Sequence, residues 1–310
     1  MSFVPERVAV IGATGPTGYH LVRELAGRGR AVVAVSRRQA QLEELFDDEG
    51  VEIATADALD AEATGRAIVG CGLVVDCIGL PPERMADHPK TAAVITQAAE
   101  QAEARCLQIS SYWAFFPQRQ EVMSESHPRA GGHEWFRMRR EAEDVMLSAG
   151  AAVVHLPDFF GPRVHTSTVQ NALQEAMDGK PMNWLGRSDT PREAAFVPDA
   201  MRIVADLSER DEAYGTDWAL PGSGQISADQ VAKLASEHLG RPVKVRAASG
   251  LMLKVLSRLH PGLRQIAAMI PQYIQPVRYD TTKLEGLLGK PETTPFDRAI
   301  PGTLDWLAGG

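Results

Sequence analysis

Three glycines near the start of the chain have the spacing of a loop that binds phosphate. Gly12, Gly15 and Gly18 stand three residues apart, between the apolar run VAVI and a helical pattern. The first allows a tight turn out of a strand, the second lets the backbone approach a pyrophosphate, and the third allows close packing of the helix. Because helix N-termini attract anions, we predict a dinucleotide site, the alternative being a turn that serves packing alone. The predicted site also includes Thr14, Pro16 and Thr17.

Two arginines follow the second apolar run, where an NAD site usually has an acidic residue that binds the ribose 2′-hydroxyl. Arg37 and Arg38 are instead shaped to bind a 2′-phosphate, which favours NADP(H) over NAD(H). A solvated arginine pair at the start of a helix is the alternative. Asp57, after the third run, could accept a hydrogen bond from the adenine amino group or cap the next helix. Ile78 and Gly79, after the fourth run, are expected near the nicotinamide ribose.

Short apolar runs alternate with helical patterns, and these predict the elements that position the site residues. Six strands are predicted at Val8–Ile11, Ala31–Val35, Val51–Thr55, Leu73–Ile78, Cys106–Ile109 and Val153–Leu156. Five helices are predicted between and after them, at Thr17–Gly27, Gln39–Asp47, Ala61–Val69, Thr91–Ala102 and Glu134–Ser148. Strand alternating with helix implies an α/β fold, a Rossmann-type doubly wound parallel sheet with helices on both faces.

The alternation of apolar runs and helical patterns ends near residue 164, where prolines begin to divide the chain into shorter segments. We therefore predict a dinucleotide-binding domain at 1–163 and a smaller, mainly helical substrate-binding region at 164–310. Ser227 is placed to cap a helix at Ala228–Leu239. Leu251–Leu259 predicts an apolar helix that could cover the pocket or form a dimer face.

Composition argues against several classes of protein. The 310 residues include 32 basic and 40 acidic side chains, and a net charge of −8 argues against a nucleic-acid or anionic-membrane binder. No apolar run reaches the roughly 18 residues of a membrane span, and the N-terminus lacks a signal-peptide layout. The histidines and three cysteines lack metal-ligand spacing, so we expect no metal. Reduced thiols predict a cytoplasmic location.

Several segments together resemble the extended short-chain dehydrogenase/reductase superfamily, which includes NDP-sugar epimerases, dehydratases and many reductases. They are the loop GATGPTG, the later Gly79, and LPDFFGPR at 156–163. The segment REAAFVPDA from Arg192 is similar to a superfamily pattern whose arginine binds substrate phosphates in sugar-nucleotide members. The resemblance implies a nicotinamide cofactor, with Pro157 beside it, a small-molecule substrate and, by analogy, a homodimer.

The chain departs from this superfamily at its catalytic Tyr-x-x-x-Lys signature. One alignment register places Trp135 and Arg139 at the two positions, and the next places Phe136 and Arg140 there. Neither register supplies a tyrosine, indole cannot exchange a proton near neutral pH, and guanidinium stays charged. Arg139 could still hold a ribose hydroxyl as a fixed donor.

A tyrosine does occur at the end of the fifth predicted strand, where family members usually have a serine or threonine that binds the substrate oxygen. We hypothesise that Tyr112 donates the proton and that Arg139 is the neighbouring cation that favours its phenolate. Alternatively, Tyr112 is an amphipathic wall residue. Ser111 is a further catalytic candidate, Ser110 is expected at the cofactor, and His133 is an alternative acid or base.

Aromatic residues gather at the predicted carboxyl ends of the last strands, where open parallel sheets bind ligands. They indicate a hydrophobic, ring-containing substrate contacting Trp113, Trp135, Phe159 and Phe160. The preferred interpretation is an NADP(H)-dependent oxidoreductase that transfers hydride to a carbonyl or activated double bond of an apolar small molecule. A non-catalytic NADP(H) sensor and an NDP-sugar epimerase or dehydratase are the alternatives, and Arg192 supports the last of them.

Overall fold

A computed structural model describes residues 4–47, 50–248 and 274–309 and contains a central sheet of seven parallel strands. Its strands are β1 (Arg7–Ile11), β2 (Ala31–Ser36), β3 (Glu52–Thr55), β4 (Leu73–Asp76), β5 (Arg105–Ser111), β6 (Ala152–Leu156) and β10 (Asp217–Ala219). Their order is β3-β2-β1-β4-β5-β6-β10. The strands β2 and β3 are added on one side of β1, and the later strands are added on the other side, beginning with β4. The predicted doubly wound parallel sheet is confirmed.

Helices cover both faces of this sheet. The sheet cores contain residues of α1 (Pro16–Gly27), α2 (Gln39–Phe46), α3 (Ala61–Ala67), α4 (His88–Gln101), α5 (Glu134–Ser148), α7 (Val197–Ser208) and α9 (Thr282–Leu288). The helices α6 (Thr168–Met177), α8 (Ala228–Leu239) and α10 (Phe296–Gly309) pack elsewhere. Successive β1 side chains enter opposite cores because strand side chains alternate. Val8 and Val10 pack in the core that contains α1, α2 and α7, whereas Ala9 and Ile11 pack with α3, α4 and α5.

The predicted helices occur close to their expected bounds. Glu134–Ser148 and Ala228–Leu239 are helices over these residues, and the Ser227 side chain caps the second by accepting the N–H of Gln230. The fourth helix begins at His88, about one turn before the predicted Thr91, because Pro89 suits a first turn that needs no N–H donor. The predicted helix at Leu251–Leu259 lies outside the described residues.

Short strands in the second half of the chain were not predicted. The strands β7 (Asp158–Phe160), β9 (Arg192–Phe196) and β11 (Gln225–Ile226) form one small sheet, and β8 (Met182–Leu185) pairs with β12 (Val245–Ala248). Together with α6, α8 and α10 they enclose a separate apolar core. Because β10 adds to the central sheet and α7 packs on α1, the residues after 163 also contribute to the sheet domain. The small strands have only two to five residues, too few for a clear alternating pattern.

Within the described ranges, no helix is long and apolar enough to span a membrane. The same residues contain no group of three His, Cys, Asp or Glu side chains arranged to hold a metal ion. All three cysteines are buried and without a disulfide.

Candidate active site

The glycine loop connects β1 to α1 through backbone positions that exclude side chains. Gly12 has φ of +86°, and a Cβ there would lie 2.9 Å from the carbonyl oxygen of Cys77. A Cβ on Gly18 would lie 2.3 Å from the Gly12 carbonyl oxygen, so the third glycine packs the helix against the loop itself. Gly15 is the N-cap of α1 and offers no side-chain acceptor, leaving the first N–H groups available to an anion.

A cleft extends from this loop across the carboxyl ends of β1, β2 and β4. Predicted cofactor residues lining it are Gly12, Thr14, Gly15, Arg37, Arg38, Asp57, Ile78 and Gly79. Pro16 begins α1, and Thr17 and Gly18 lie within it behind the lining. Ser36, Gln41, Leu80, Arg84, Thr91 and His165 also line the cleft, and no motif had singled them out as cofactor residues.

Two side chains at the far end of the cleft bear on cofactor choice. Arg37 and Arg38 are exposed there, and Arg37 Nη1 lies 3.9 Å from Asp57 Oδ2. Asp60, whose Oδ1 accepts the Ala63 N–H at 3.0 Å, caps α3, so Asp57 does not have this role. Asp57 is therefore left facing the cleft beside Arg37.

A second cavity of about 660 Å³ adjoins the cleft, and Leu80 lines both. Predicted residues that line it are Ser110, Ser111, Tyr112, Trp113, Trp135, Arg139, Pro157 and Phe159. Much of the remaining wall is apolar and includes Pro81, Pro82, Met85, Leu156 and Leu185. Its size suits a small-molecule ligand, and Ser110, Arg139 and Pro157, which were predicted at the cofactor, line this cavity where it adjoins the cleft.

The structure shows which of the two candidate residue pairs on α5 faces the second cavity. Trp135 and Arg139, four residues apart on α5, both line the second cavity. Phe136 is fully buried in an aromatic core, and Arg140 donates to the backbone carbonyl of Phe116 at 2.8 Å. Trp135 and Arg139 are therefore the pair on α5 that faces the cavity, and their correspondence to the tyrosine and lysine of the superfamily stays a prediction.

Tyr112 begins a short 3-10 turn (Tyr112–Phe115) directly after β5. Its ring is held edge-on against Phe116, with ring centroids 5.1 Å apart, and only 4% of the residue is exposed. Ser111 caps this turn, since its Oγ accepts the Trp113 N–H at 3.3 Å. The two residues thus share one wall of the cavity, where sequence reasoning had grouped them.

A buried polar cluster lies behind that wall. Ser110 Oγ and Arg129 both donate to the fully buried Glu143 carboxylate. His155 lies between two acids, with Nδ1 3.4 Å from Glu143 and Nε2 3.0 Å from Asp217. His155 is therefore a buried histidine within this polar cluster.

The cluster is charged. Burial alone would lower the pKa of His155, but the Glu143 and Asp217 carboxylates outweigh it and raise that pKa to about 9. Burial would likewise raise the pKa of Glu143, but His155 and Arg129 bring it below its usual value. Because carboxylates only accept, the Ser110 hydroxyl donates inward and presents lone pairs to the cavity.

Three predicted site residues lie elsewhere. Phe160 is fully buried in the smaller core against Phe196, because alternation along β7 turns it away from Phe159 and the cavity. Arg192 lies on β9, between β7 and β11, and only 4% of it is exposed. It lines neither the cleft nor the second cavity. His133 is the N-cap of α5, with its Nδ1 accepting the Trp135 N–H, and likewise lines neither.

Comparison with known families concerns the part of the chain that contains the glycine loop. Residues 12–152 match a protein family described as NAD(P)H-binding. This part of the chain is an NAD(P)-binding domain. The match runs from the first glycine of the loop, directly after β1, to the start of β6. No curated protein sequence matches the chain.

Solved structures share the fold over nearly the whole chain. UDP-glucuronic acid 4-epimerase from Bacillus cereus, solved with NAD, is 13% identical, with 98% of this chain and 99% of that chain covered and a TM-score of 0.81. dTDP-glucose 4,6-dehydratase from Bacillus anthracis is 11% identical, covers 98% and 97%, and has a TM-score of 0.81. An epimerase from Methanothermobacter thermautotrophicus is 17% identical, covers 98% and 92%, and has a TM-score of 0.83. The resemblance to the extended superfamily is thereby confirmed for the fold.

Proposed function

We propose that the protein is an NADP(H)-dependent oxidoreductase that reduces a carbonyl or activated double bond in an apolar small molecule. The observation that carries this proposal is the contact of the NAD(P)-binding cleft with a second, largely apolar cavity at Leu80. A substrate in that cavity would lie next to the nicotinamide end of the cleft. NADPH, when bound, would supply the hydride, so the protein has to orient the substrate and provide one proton.

Tyr112 is the proposed proton donor. In reduction of a carbonyl, its phenol would give a proton to the substrate oxygen, and the phenolate that remains would be stabilised by the Arg139 cation. Both side chains line the same cavity, and neither Trp135 nor Arg139 could serve as the acid at neutral pH. Solvent would return the proton to Tyr112 after each turnover.

The preference for NADP(H) over NAD(H) belongs to this proposal. Arg37 and Arg38 supply two cations at the end of β2, and Asp57 beside Arg37 is the one acidic residue among those lining the cleft in the described ranges. A 2′-phosphate would meet both guanidinium groups, whereas a 2′-hydroxyl would leave them without an anion.

Calorimetry with NADP⁺, NADPH and NAD⁺ tests the cofactor assignment. We expect NADP⁺ and NADPH to bind comparably and NAD⁺ at least ten times more weakly. The double variant Arg37→Ala/Arg38→Ala should weaken NADP⁺ binding by about 100-fold or more, since two hydrogen bonds to a charged group contribute roughly 1.5–3 kcal/mol each. Arg66→Ala is the matched control, because Arg66 is exposed on α3 and pairs with Glu62. Equal affinity for NAD⁺ and NADP⁺ would refute the preference.

An NADPH-oxidation screen against apolar aldehydes, ketones and enones tests the reaction itself. Turnover of any of them supports the oxidoreductase. The second candidate is a non-catalytic NADP(H)-binding sensor, favoured by Trp135 at the tyrosine position. A sensor would bind cofactor and discriminate its two redox states, but no compound would be turned over.

An NDP-sugar epimerase or dehydratase is the third candidate, favoured by the fold shared with such enzymes. Arg139 is the one basic residue among the described lining of the second cavity, which gives a nucleotide diphosphate little to bind. Binding of a UDP- or dTDP-sugar would favour this candidate over the oxidoreductase.

A homodimer and a cytoplasmic location remain predictions, the first by analogy with the superfamily and the second from the reduced thiols. Sedimentation of the purified protein would test the oligomeric state, and fractionation of the source cells would test the location.

A further inference from the structure

Arg139 is a buried cation with one hydrogen-bond partner among the described residues. Only 8% of the residue is exposed, and its Nη2 lies 3.0 Å from Nε2 of His88, which is 1% exposed. Its Nε is buried without a partner in the described ranges, although the residue lines the second cavity. An arginine in this state can donate further hydrogen bonds to a ligand that enters the site.

The chemistry of the two side chains determines the direction of their hydrogen bond. Guanidinium has only donors, so Nε2 of His88 must be the acceptor, and the imidazole proton must reside on Nδ1. Burial and the neighbouring Arg139 charge lower the pKa of His88 to about 2, so the ring stays neutral across the working pH range. His88 therefore holds Arg139 without neutralising its charge.

The nearby carboxylates are engaged elsewhere. Asp76 accepts from the Ile78 N–H and from the side-chain amide of Gln108, and Glu143 accepts from Ser110 and Arg129. Both acids attract the Arg139 charge without a hydrogen bond to it. Orientation of the guanidinium thus depends on His88.

His88 is also tied to the wall of the NAD(P)-binding cleft. It is the first residue of α4, and Thr91 Oγ1, one turn later, donates to the His88 carbonyl oxygen at 2.9 Å. Thr91 lines the cofactor cleft, whereas Arg139 lines the cavity that adjoins it at Leu80. The His88–Arg139 pair therefore connects α4 to α5 where the two spaces meet.

We propose that His88 is a positioning residue, a neutral acceptor that orients Arg139 so that its guanidinium binds the nicotinamide-side ribose of the cofactor. This inference rests on the proposed function, because it requires NADP(H) in the cleft. In this arrangement the His88–Arg139 pair replaces the single lysine of the superfamily signature. Arginine needs such a partner because its planar donors must be aimed, whereas an ammonium group rotates freely.

Two ligands distinguish a positioning role of His88 at the nicotinamide ribose from a purely structural role of this residue. NADP⁺ contains the nicotinamide ribose, whereas 2′,5′-ADP retains the 2′-phosphate but lacks that ribose. We expect His88→Ala to weaken NADP⁺ binding about tenfold in calorimetry, the loss of roughly one charge-assisted hydrogen bond. Its affinity for 2′,5′-ADP should match that of wild type. Arg139→Ala should show the same split, and the double variant should lose no more than Arg139→Ala alone.

The conservative variant His88→Gln guards against misfolding, since its side-chain oxygen can accept from Arg139 in place of Nε2. It should retain NADP⁺ affinity within about threefold of wild type, roughly 0.7 kcal/mol. Equal weakening of both ligands by His88→Ala, or full NADP⁺ affinity in that variant, would overturn the positioning role. Failure of the wild-type protein to bind either ligand would instead overturn the proposed function and this inference with it.

Discussion

His155 Nε2 lies 3.0 Å from Asp217 Oδ2 and joins the strand β6 to β10, which arrives from 62 residues further along the chain. The same ring contacts Glu143 through Nδ1 at 3.4 Å, so one buried imidazolium lies between two acids. These contacts fix the last strand of the central sheet beside the wall of the second cavity. Replacing His155 would remove one of the two cations that both carboxylates contact and leave Arg129 as the other.

The stability of the protein should therefore fall as pH rises through about 9. The pKa of His155 is raised from 6.5 to about 9, so its contribution is fully present below pH 6.5 and is lost as the folded protein deprotonates. A shift of this size corresponds to about 3 kcal/mol. Urea unfolding of wild type and His155→Gln from pH 6 to 10 should show the two curves converging at high pH. His238→Gln, exposed on α8, is the control, and a pH-independent gap between wild type and His155→Gln would contradict the prediction.

Gly18→Ala should abolish cofactor binding and destabilise the fold. The new Cβ would lie 2.3 Å from the Gly12 carbonyl oxygen, and this contact can be relieved only by moving the loop backbone. Gly27→Ala, in the same helix, meets nothing within 4 Å and should stabilise the protein by up to about 1 kcal/mol. Thermal melting with and without NADP⁺ measures both effects. A Gly18→Ala protein that still gains stability from NADP⁺ would argue against the loop as the phosphate site.

Tyr112→Phe should reduce turnover about 100-fold, the usual size of a general-acid contribution, without changing cofactor affinity. The aromatic contact with Phe116 would survive because the ring is retained. Tyr19→Phe is the matched control, since its hydroxyl accepts from Arg23 on α1, outside the two spaces of the site. Rates with the best compound from the NADPH-oxidation screen provide the comparison. Wild-type turnover in Tyr112→Phe would exclude the phenol as proton donor.

The second cavity should prefer flat aromatic rings to saturated ones of similar size. The indoles of Trp113 and Trp135 line it and are nearly parallel, at 9° with centroids 6.1 Å apart, which offers aligned faces for stacking. We expect 2-naphthol to quench tryptophan fluorescence and to bind at least fivefold more tightly than decahydro-2-naphthol, measured by calorimetry. Trp135→Leu should remove this preference, whereas Trp306→Leu, on α10, should retain it. Equal affinity for the two alcohols would show that the cavity recognises only apolar volume.

Local sequence determined the sheet domain and the cofactor loop. The glycine spacing, the apolar strand runs and the helical periodicity each involve residues close together in the chain. Each of these patterns by itself favours one local structure, namely a tight loop, a strand or a helix. Gly12 and Gly18 behave as predicted because turn geometry and close approach depend on only a few neighbouring residues. Arg37 and Arg38 could be assigned to the cleft for the same reason, since they directly follow β2.

Tertiary structure alone decided which side chains share the second cavity. Sequence left two registers open on α5, and only the packing of Phe136 into the core placed Trp135 and Arg139 at the cavity. Phe159 and Phe160 are adjacent phenylalanines, yet alternation along a three-residue strand directs their side chains to opposite sides. The His88–Arg139 contact spans 51 residues, and the return of β10 to the sheet spans 62. Contacts of this range leave no periodic pattern in the sequence, because they arise when separate elements pack together.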